Sequence, residues 1–310
     1  MKKLIILLIS AISIATAPIK AQNCDVLLIP FVQDNIDPLP EESRSYLTTK
    51  LTQIITQNGI SAGEGVGQFY LAAKFTLLSK DIVSGSPVMI TQKVNAALSI
   101  VDYFGEKVFA SVNIELQATG TNDTKAYING LRGLNPNNPK IQEFIKSSKE
   151  KMLRYYDDNA VNIIKKAQKL ADTKEFEEAL FYLASIPECC KSYDAALAET
   201  RKVYQAYIDY TCQKHLMLAR TSWAAAPNYD GANEAGQYLS FIEPDAKCYN
   251  EALALYNEIK ASVKEDWKYE FKYYDERALE RERINAYREV GVAYGKGQQP
   301  KTTIITGLLR

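Results

Sequence analysis

The sequence predicts an α+β fold: a small N-terminal α/β sandwich with a largely antiparallel four-stranded sheet, followed by an all-α domain of repeated helical hairpins. Three observations predict this class: apolar runs with a period of two before residue 120, apolar residues at helical spacing after residue 139, and an internal repeat after residue 178. The 310 residues, 46% of them apolar, are enough for about two domains. We place the domains at residues 24–156 and 157–294, after a leader at 1–21 and before a C-terminal tail at 295–310.

Residues 1–21 have the three parts of a secretory signal peptide. Lys2 and Lys3 precede an apolar stretch of about 14 residues, and Ala21 is a small residue at the expected cleavage position. A membrane anchor is one alternative, but the stretch is shorter than the ~20 residues that span a bilayer. Cys24 raises the alternative of a lipoprotein, although the residues before it match a lipobox poorly. The sequence therefore predicts a periplasmic or secreted protein, with outer-membrane association left open.

The first strand and the first helix follow the leader. Residues 25–32 form a continuous apolar run, which is typical of a strand covered on both faces. Pro40 and the acidic pair at residues 41–42 predict the start of a helix, and Asn58-Gly59 predicts its end. The apolar residues between them recur at helical spacing: Leu47, Leu51, Ile54 and Ile55.

Three long β-type runs come next, at residues 68–83, 88–103 and 107–119. The turns between them, at residues 84–87 and 104–106, are too short for crossover connections, so the three strands should form an antiparallel meander. Apolar and polar residues alternate along the third run, which predicts a sheet with one wetter face. A helical section whose clearest stretch starts at Pro139 closes the domain.

Residues 178–197 recur as residues 234–253, with a constant shift of 56 positions. Nine residues coincide between the copies, among them Tyr182 and Tyr238. Each copy predicts a helix, a tight corner and a second helix. The first copy has a helix over 159–171, a turn at 172–174 and a helix to Ile186, and the next helix should continue to about residue 226, roughly 50 Å at 1.5 Å per residue.

The end of the chain predicts one more helix and a strand. From about Ser262 the helix of the second copy should continue through Trp267, Phe271 and Tyr274 into the charged run at 275–283, which we interpret as a solvated face. Residues 302–306 in the basic tail have β character. They predict a strand that adds to a sheet edge, either of this chain or of a partner.

Five cysteines in an exported chain predict disulfides, with one thiol left over. The second helix of copy two should run back along the preceding long helix, which places Cys248 opposite Cys212, so we predict the Cys212–Cys248 disulfide. Cys189 or Cys190 could also reach Cys24 where the domains meet. A zinc site is the alternative for these cysteines, but they lack a C-x-x-C pair and nearby histidines, so we expect no metal.

Composition and motifs argue against nucleic-acid binding, phosphate binding and catalysis. Removal of the leader takes away three lysines and changes the formal net charge from 0 to −3, which disfavours nucleic acid as a partner. His215, the one histidine, is predicted to be a core or groove residue in a long helix. The glycines at residues 63–67 and 291–297 do not match a phosphate-binding loop, and we interpret the first group as a flexible loop. We expect no cofactor and no catalytic residue.

Two family resemblances point in the same direction as these patterns. The Val26-Leu-Leu-Ile-Pro-Phe31 strand, the Leu47-Thr-Thr-Lys-Leu51 helix and the Asn58-Gly59 stop resemble the small α/β domain of envelope assembly proteins such as the amino-terminal domain of TolB and the lipoprotein CsgG. This resemblance implies a domain that docks other envelope components. The segment at residues 174–180 resembles the helix-turn-helix of tetratricopeptide repeats, although the period here is 56 residues and the period of that family is 34.

We therefore expect a non-enzymatic exported envelope protein that acts as an interaction or assembly scaffold for other envelope proteins, without a membrane span. Amphipathic rings suit such binding, and the candidate residues are Tyr182, Tyr238, Trp267, Phe271 and Tyr274. The last three also fit the capping surface of a helical stack. Two alternatives stay open: a self-assembling envelope or secretion component that forms a ring or a strand-augmented homo-oligomer, and a hydrolase of unrecognised type.

Overall fold

The computed structural model describes residues 26–33, 39–263, 267, 269, 271–272 and 280–309, with the backbone alone at residues 280 and 281. In these ranges a mixed sheet precedes a helical half. The strands are β1 (Leu27–Phe31), β2 (Ser61–Ala62), β3 (Phe69–Val83), β4 (Met89–Asp102) and β5 (Lys107–Gly120). The helices are α1 (Arg44–Gln57), α2 (Asp123–Leu131), α3 (Pro139–Asp172), α4 (Phe176–Ala184), α5 (Tyr193–Ala225), α6 (Tyr229–Leu239), α7 (Tyr249–Val263), α8 (Glu280–Gly297) and α9 (Thr302–Leu308).

The sheet has five strands in the order β2-β1-β3-β4-β5. The predicted meander is confirmed, because β3, β4 and β5 pair antiparallel. The predicted four-stranded, largely antiparallel sheet is wrong, since β1 pairs parallel with both β2 and β3. Two physical reasons account for the difference. β2 is only two residues long and has no readable pattern, and α1 forms a crossover that returns the chain parallel to β1.

The two faces of the sheet are covered by different parts of the chain. Helices α1, α2 and α3 cover one face and form the main core with alternate residues of the long strands. On the other face, α9 packs Ile305, which is fully buried, against Tyr70 and Tyr103. The strand predicted over residues 302–306 is therefore wrong. Ile304, Ile305, Leu308 and Leu309 recur at helical spacing and face the sheet together, so packing overrides the strand propensity of this segment.

The helical half begins without a break in the chain. α3 runs through residue 156, where we placed the domain boundary, and the main core extends from the sheet to Val203 of α5. Two helical hairpins follow one another, α3 with α4 and α5 with α6. α5 reaches Ala225, as the predicted long helix required. The second half of α5 forms a second core with α6 and α7.

The helix predicted to continue beyond Ser262 is wrong. α7 ends at Val263, and Trp267, Tyr269 and Phe271 have no helical structure. Their alternation with charged residues has the period of extended chain, and Trp267 and Phe271 are buried in the second core. The hydroxyl of Tyr256 donates to the carbonyl of Tyr269 at 3.0 Å, which holds this segment against α7. Tyr274 and residues 275–279 lie outside the described residues.

Helix α8 joins the helical half to the sheet. It packs closely on α4, since a Cβ at Gly291 would lie 2.5 Å from the Leu180 carbonyl, and Gly295 faces the Phe181 ring. The carbonyl of Gly295 also accepts a hydrogen bond from Val66 N–H at 2.9 Å. In the parts of the chain that the structure describes, no helix combines the length and the apolar character that a bilayer crossing requires.

Candidate functional site

A groove of about 490 Å³ opens in the helical half between α4, α5 and α8. The start of α4 forms one wall, the middle of α5 forms the opposite wall, and Tyr294 of α8 closes one end. The lining combines aromatic and charged side chains: Lys174, Glu175, Phe176, Glu177, Glu178, Tyr207, Tyr210, Thr211, Lys214, His215 and Tyr294. A pocket of this size is in the ordinary range for ligand and peptide recognition.

The turn between α3 and α4 sets the position of the first wall. Glu175 N–H donates to the carbonyl of Leu170 at 2.8 Å, and Lys174 N–H donates to that of Ala171 at 3.0 Å. These two bonds form a Schellman motif, and Lys174 takes the left-handed position with φ of 66°. The motif ends α3 sharply, so that α4 starts at Phe176 with its acidic first turn facing α5.

An aromatic cluster forms the floor of the groove. The centroid of the Phe176 ring lies 5.7 Å from that of Tyr210 and 6.3 Å from that of Tyr207. Tyr204, one turn earlier on α5, continues the row at 6.2 Å from Tyr207. Tyr210 is 42% exposed, and the Nζ atom of Lys174 lies 5.2 Å from its ring centroid. Such rings offer both apolar contact area and a hydroxyl to a partner.

Two tyrosine hydroxyls hold carboxylates at the α4 wall. The Tyr294 hydroxyl donates to Glu178 Oε2 at 3.3 Å, and Tyr207 is hydrogen-bonded to Glu177. Burial raises the pKa of both tyrosines above the ordinary value, and the neighbouring glutamates raise it further. Both phenols therefore stay protonated at neutral pH and act as donors to the glutamate side chains.

His215 lies where α5 faces the end of α6. Its ring stacks on Phe241 with centroids 5.4 Å apart and lies 6.3 Å from the Tyr238 ring. Its Nδ1 atom is enclosed and has no hydrogen-bond partner among the described residues. Burial lowers the pKa of His215, and the charge of Lys214 lowers it further, so the ring is neutral at pH 7. It contributes shape and an apolar face to the groove.

The predicted binding residues do not share one exposed face. Tyr182 is buried and packs on Phe104, with Lys166 Nζ 3.7 Å from its ring centroid. Tyr238 is half-buried beside His215, whereas Trp267 and Phe271 belong to the second core. Tyr274 lies outside the described residues. The tyrosines in the groove lining, Tyr207, Tyr210 and Tyr294, are absent from the prediction. Tyr207 and Tyr210 follow Tyr204 in steps of three on a long helix, and this spacing could have identified them.

Cys189, Cys190 and Cys248 lie at the corners of the hairpins, and Cys212 lies within α5. Cys212 of α5 and Cys248, just before α7, are disulfide-bonded with Cα atoms 6.1 Å apart. Cys189 is also disulfide-bonded, and Cys24, its expected partner, lies outside the described residues. Cys190 is a buried free thiol whose pKa is raised to about 11, by burial first and by Asp157 second. In the described part of the chain, no group of three metal-ligating side chains converges.

The two glycine-rich segments meet at a second cavity of about 480 Å³, between the sheet and α8. Gly65 has φ of 74°, and a Cβ there would overlap the Gly295 carbonyl. A Cβ at Gly63 would lie 2.8 Å from the Leu27 side chain. The loop at residues 63–67 also bonds to β1, since Gly63 N–H donates to the Leu28 carbonyl at 3.1 Å. These glycines therefore permit close packing between the loop, β1 and α8.

Comparison with solved structures gives a distant likeness. No protein family matches the chain, and no curated protein matches it. Among solved structures, a minor lipoprotein from Acinetobacter baumannii is similar at 16% identity, over 41% of this chain and 91% of that chain, with a TM-score of 0.23.

Proposed function

We propose that this chain is a non-enzymatic exported envelope protein that acts as an interaction or assembly scaffold, and that its helical half binds a partner protein in the α4/α5/α8 groove. The observation that carries the proposal is the groove itself, with tyrosine rings on its floor and charged side chains along its rims. Rigid amphipathic rings give contact area at a low cost in conformational entropy, which is why tyrosine is enriched at binding surfaces.

A tetratricopeptide-like stack is the architecture that we propose for this half. Its support is that Tyr182 of α4 and Tyr238 of α6 are 56 positions apart in the repeat and that each lies against the long helix before it, at Lys166 of α3 and at His215 of α5. The corners also match, because Cys190 N–H donates to the Pro187 carbonyl and Ala246 N–H donates to that of Glu243, 56 positions later. Stacked hairpins of this kind present a groove that a partner can enter.

Export and envelope docking are the other parts of the proposal. The signal-like sequence at residues 1–21 supports export, and the disulfide between Cys212 and Cys248 fits an oxidising compartment. For residues 24–156 we propose the docking role that the resemblance to TolB and CsgG implies. The order of elements in this region, strand, helix, three-stranded meander and helix, supports that role.

Site-specific cross-linking tests the scaffold function. A photoreactive residue at Tyr210 should form a discrete adduct with one envelope protein in the cells that produce this chain. The same residue at Val161, which is 58% exposed on α3 and outside the groove lining, is the matched control. Equal adduct patterns from both positions, or no adduct from Tyr210, would contradict the proposal.

Self-assembly is a second candidate, favoured by an open strand edge. β3 pairs with β1 over Tyr70 to Ala72 only, so within the described residues its continuation to Val83 pairs on one side alone, with β4. Leu78, Ile82, Val83 and Val88 are exposed along this hairpin. Such an edge can template pairing with another chain. Sedimentation of the purified protein at high concentration tests this candidate, and a monomer throughout would exclude it.

A further inference from the structure

The groove has more carboxylates than its own cations neutralise. Glu175, Glu177 and Glu178 follow one another along the α4 wall, and no ion pair among the described residues includes any of them. Tyr207 and Tyr294 bond to two of these carboxylates as neutral donors, which orients the groups without cancelling their charge. Lys174 and Lys214 are the cations of the lining, so the groove has a net charge of about −1 with His215 neutral.

The floor of the groove already holds a cation. Lys174 Nζ lies 5.2 Å from the centroid of the Tyr210 ring, within the range of a cation–π contact. Lys174 is itself exposed, and its side chain is long and flexible. An incoming ammonium or guanidinium group could therefore take its place on the ring. Such a group would then stand beside the carboxylates of Glu175 and Glu177, whereas Glu178 already interacts with the Lys166 ammonium of α3.

We infer that the segment bound in this groove is basic: an extended stretch of the partner protein that places a lysine or arginine side chain between the Tyr210 ring and the carboxylates of Glu175 and Glu177. This inference rests on the proposed function. Charge complementarity favours a positive charge on the bound segment. The Tyr210 ring favours arginine, because the planar guanidinium group stacks on aromatic faces. An acidic segment would meet three carboxylates at the wall and would bind less tightly.

Three synthetic peptides test the sign of the charge. Each has ten glycine and serine residues, with three identical positions replaced by arginine, by glutamine or by glutamate. Titration calorimetry with the full chain at low ionic strength should give the tightest binding for the arginine peptide. The variant E175Q/E177Q should bind that peptide about fivefold more weakly, because exposed charge pairs contribute modestly. E150Q, an exposed glutamate of α3 outside the groove lining, is the matched control and should bind as the unchanged protein does.

A second variant gives the opposite result if the inference is correct. Lys174→Asn removes the competing cation and keeps a residue type that tolerates the left-handed turn, so the arginine peptide should bind about twofold more tightly. Three outcomes would overturn the inference: equal or tighter binding of the glutamate peptide, an unchanged affinity in E175Q/E177Q, or no binding of any peptide at millimolar concentration. Cross-linking from Tyr210 does not depend on the sign of the charge, so the scaffold function could survive each of these outcomes.

Discussion

The backbone N–H of Lys247 donates a hydrogen bond to Asp209 Oδ1 at 2.9 Å and fastens the corner after α6 to the long helix α5. The same relationship occurs one hairpin earlier, where Lys191 N–H donates to Asp157 Oδ1 at 2.8 Å. The donors are separated from their acceptors by 38 and 34 residues, a difference of about one helical turn, and the two additional residues of α6 account for half of it. The internal repeat thus conserves a contact as well as a pattern of residue types.

Removal of either carboxylate should weaken its corner to a similar extent. Asp157→Asn and Asp209→Asn keep an acceptor oxygen but lose its charge, so each should lower the free energy of unfolding by about 1 kcal/mol. Urea denaturation followed by circular dichroism measures this loss. Asp158→Asn, at an exposed neighbouring position of α3, is the control and should change stability little. A loss at one corner only would show that the two contacts are not equivalent.

The contribution of Asp209 should depend on pH. Burial disfavours its ionised form, but hydrogen bonds from the Lys247 ammonium and N–H outweigh burial and lower the pKa. Because the pKa is lower in the folded state, the ionised carboxylate stabilises the fold at any pH above the pKa of the unfolded state, about 3.9. This stabilisation is lost as the pH falls through the pKa of the folded state. The difference in unfolding free energy between the unchanged protein and Asp209→Asn should therefore be full at pH 7 and shrink below about pH 4. A constant difference from pH 7 to pH 3 would contradict this assignment.

The Cys212–Cys248 disulfide closes a loop with a sequence separation of 36, which predicts a stabilisation of about 3–4 kcal/mol. The double replacement of both cysteines by alanine should lose most of it in urea denaturation. Alanine fits the site, because the fully buried Ala160 lies three residues after Asp157, as Cys212 lies three residues after Asp209. Cys190→Ala removes a buried thiol without a disulfide and should cost about 1 kcal/mol. Equal losses in the two variants would refute a stabilising role for the disulfide.

The close contact between α8 and α4 depends on the absence of a side chain at Gly291. Gly291→Ala would place a methyl group 2.5 Å from the Leu180 backbone, and relief of that overlap should cost about 1–3 kcal/mol and lower the melting temperature. Gly297→Ala, at the end of the same helix, has nothing within 4 Å and should be neutral or slightly stabilising. Similar melting temperatures for the two variants would mean that α8 can shift away from α4 at little cost.

Sequence patterns predicted the elements whose own periodicity is strong. The three strands of the meander and the long helix α5 were predicted because alternation and helical spacing persist there over many residues. β2 was missed because two residues contain no period, and the parallel pairing of β1 follows from the path of α1 rather than from residue types. Tertiary packing determines the helical structure of the C-terminal tail, because Ile305 packs on an apolar surface that only the folded sheet supplies.

The groove was predicted only in part, because it brings together segments far apart in the chain. Tyr207 and Tyr210 share a helix face, and that spacing is readable. Tyr294 reaches Glu178 from 116 residues away, and no local pattern encodes this approach. Trp267 and Phe271 show the opposite error. They were predicted to lie in a continuing helix, as partner-binding residues or as the capping surface of a stack, but their alternation with charged residues marks an extended segment that packs in the second core.

One face of the sheet is covered by α9, which comes last in the described part of the chain. The Tyr103 hydroxyl accepts a hydrogen bond from Lys301 N–H across a separation of 198 residues, and Ile305 covers Tyr70 shortly afterwards in the sequence. During synthesis, these aromatic rings therefore emerge long before the helix that shields them. Chaperones and proteases act on exposed apolar surface, so loss of these few C-terminal residues would turn the sheet face that α9 covers into a target for degradation.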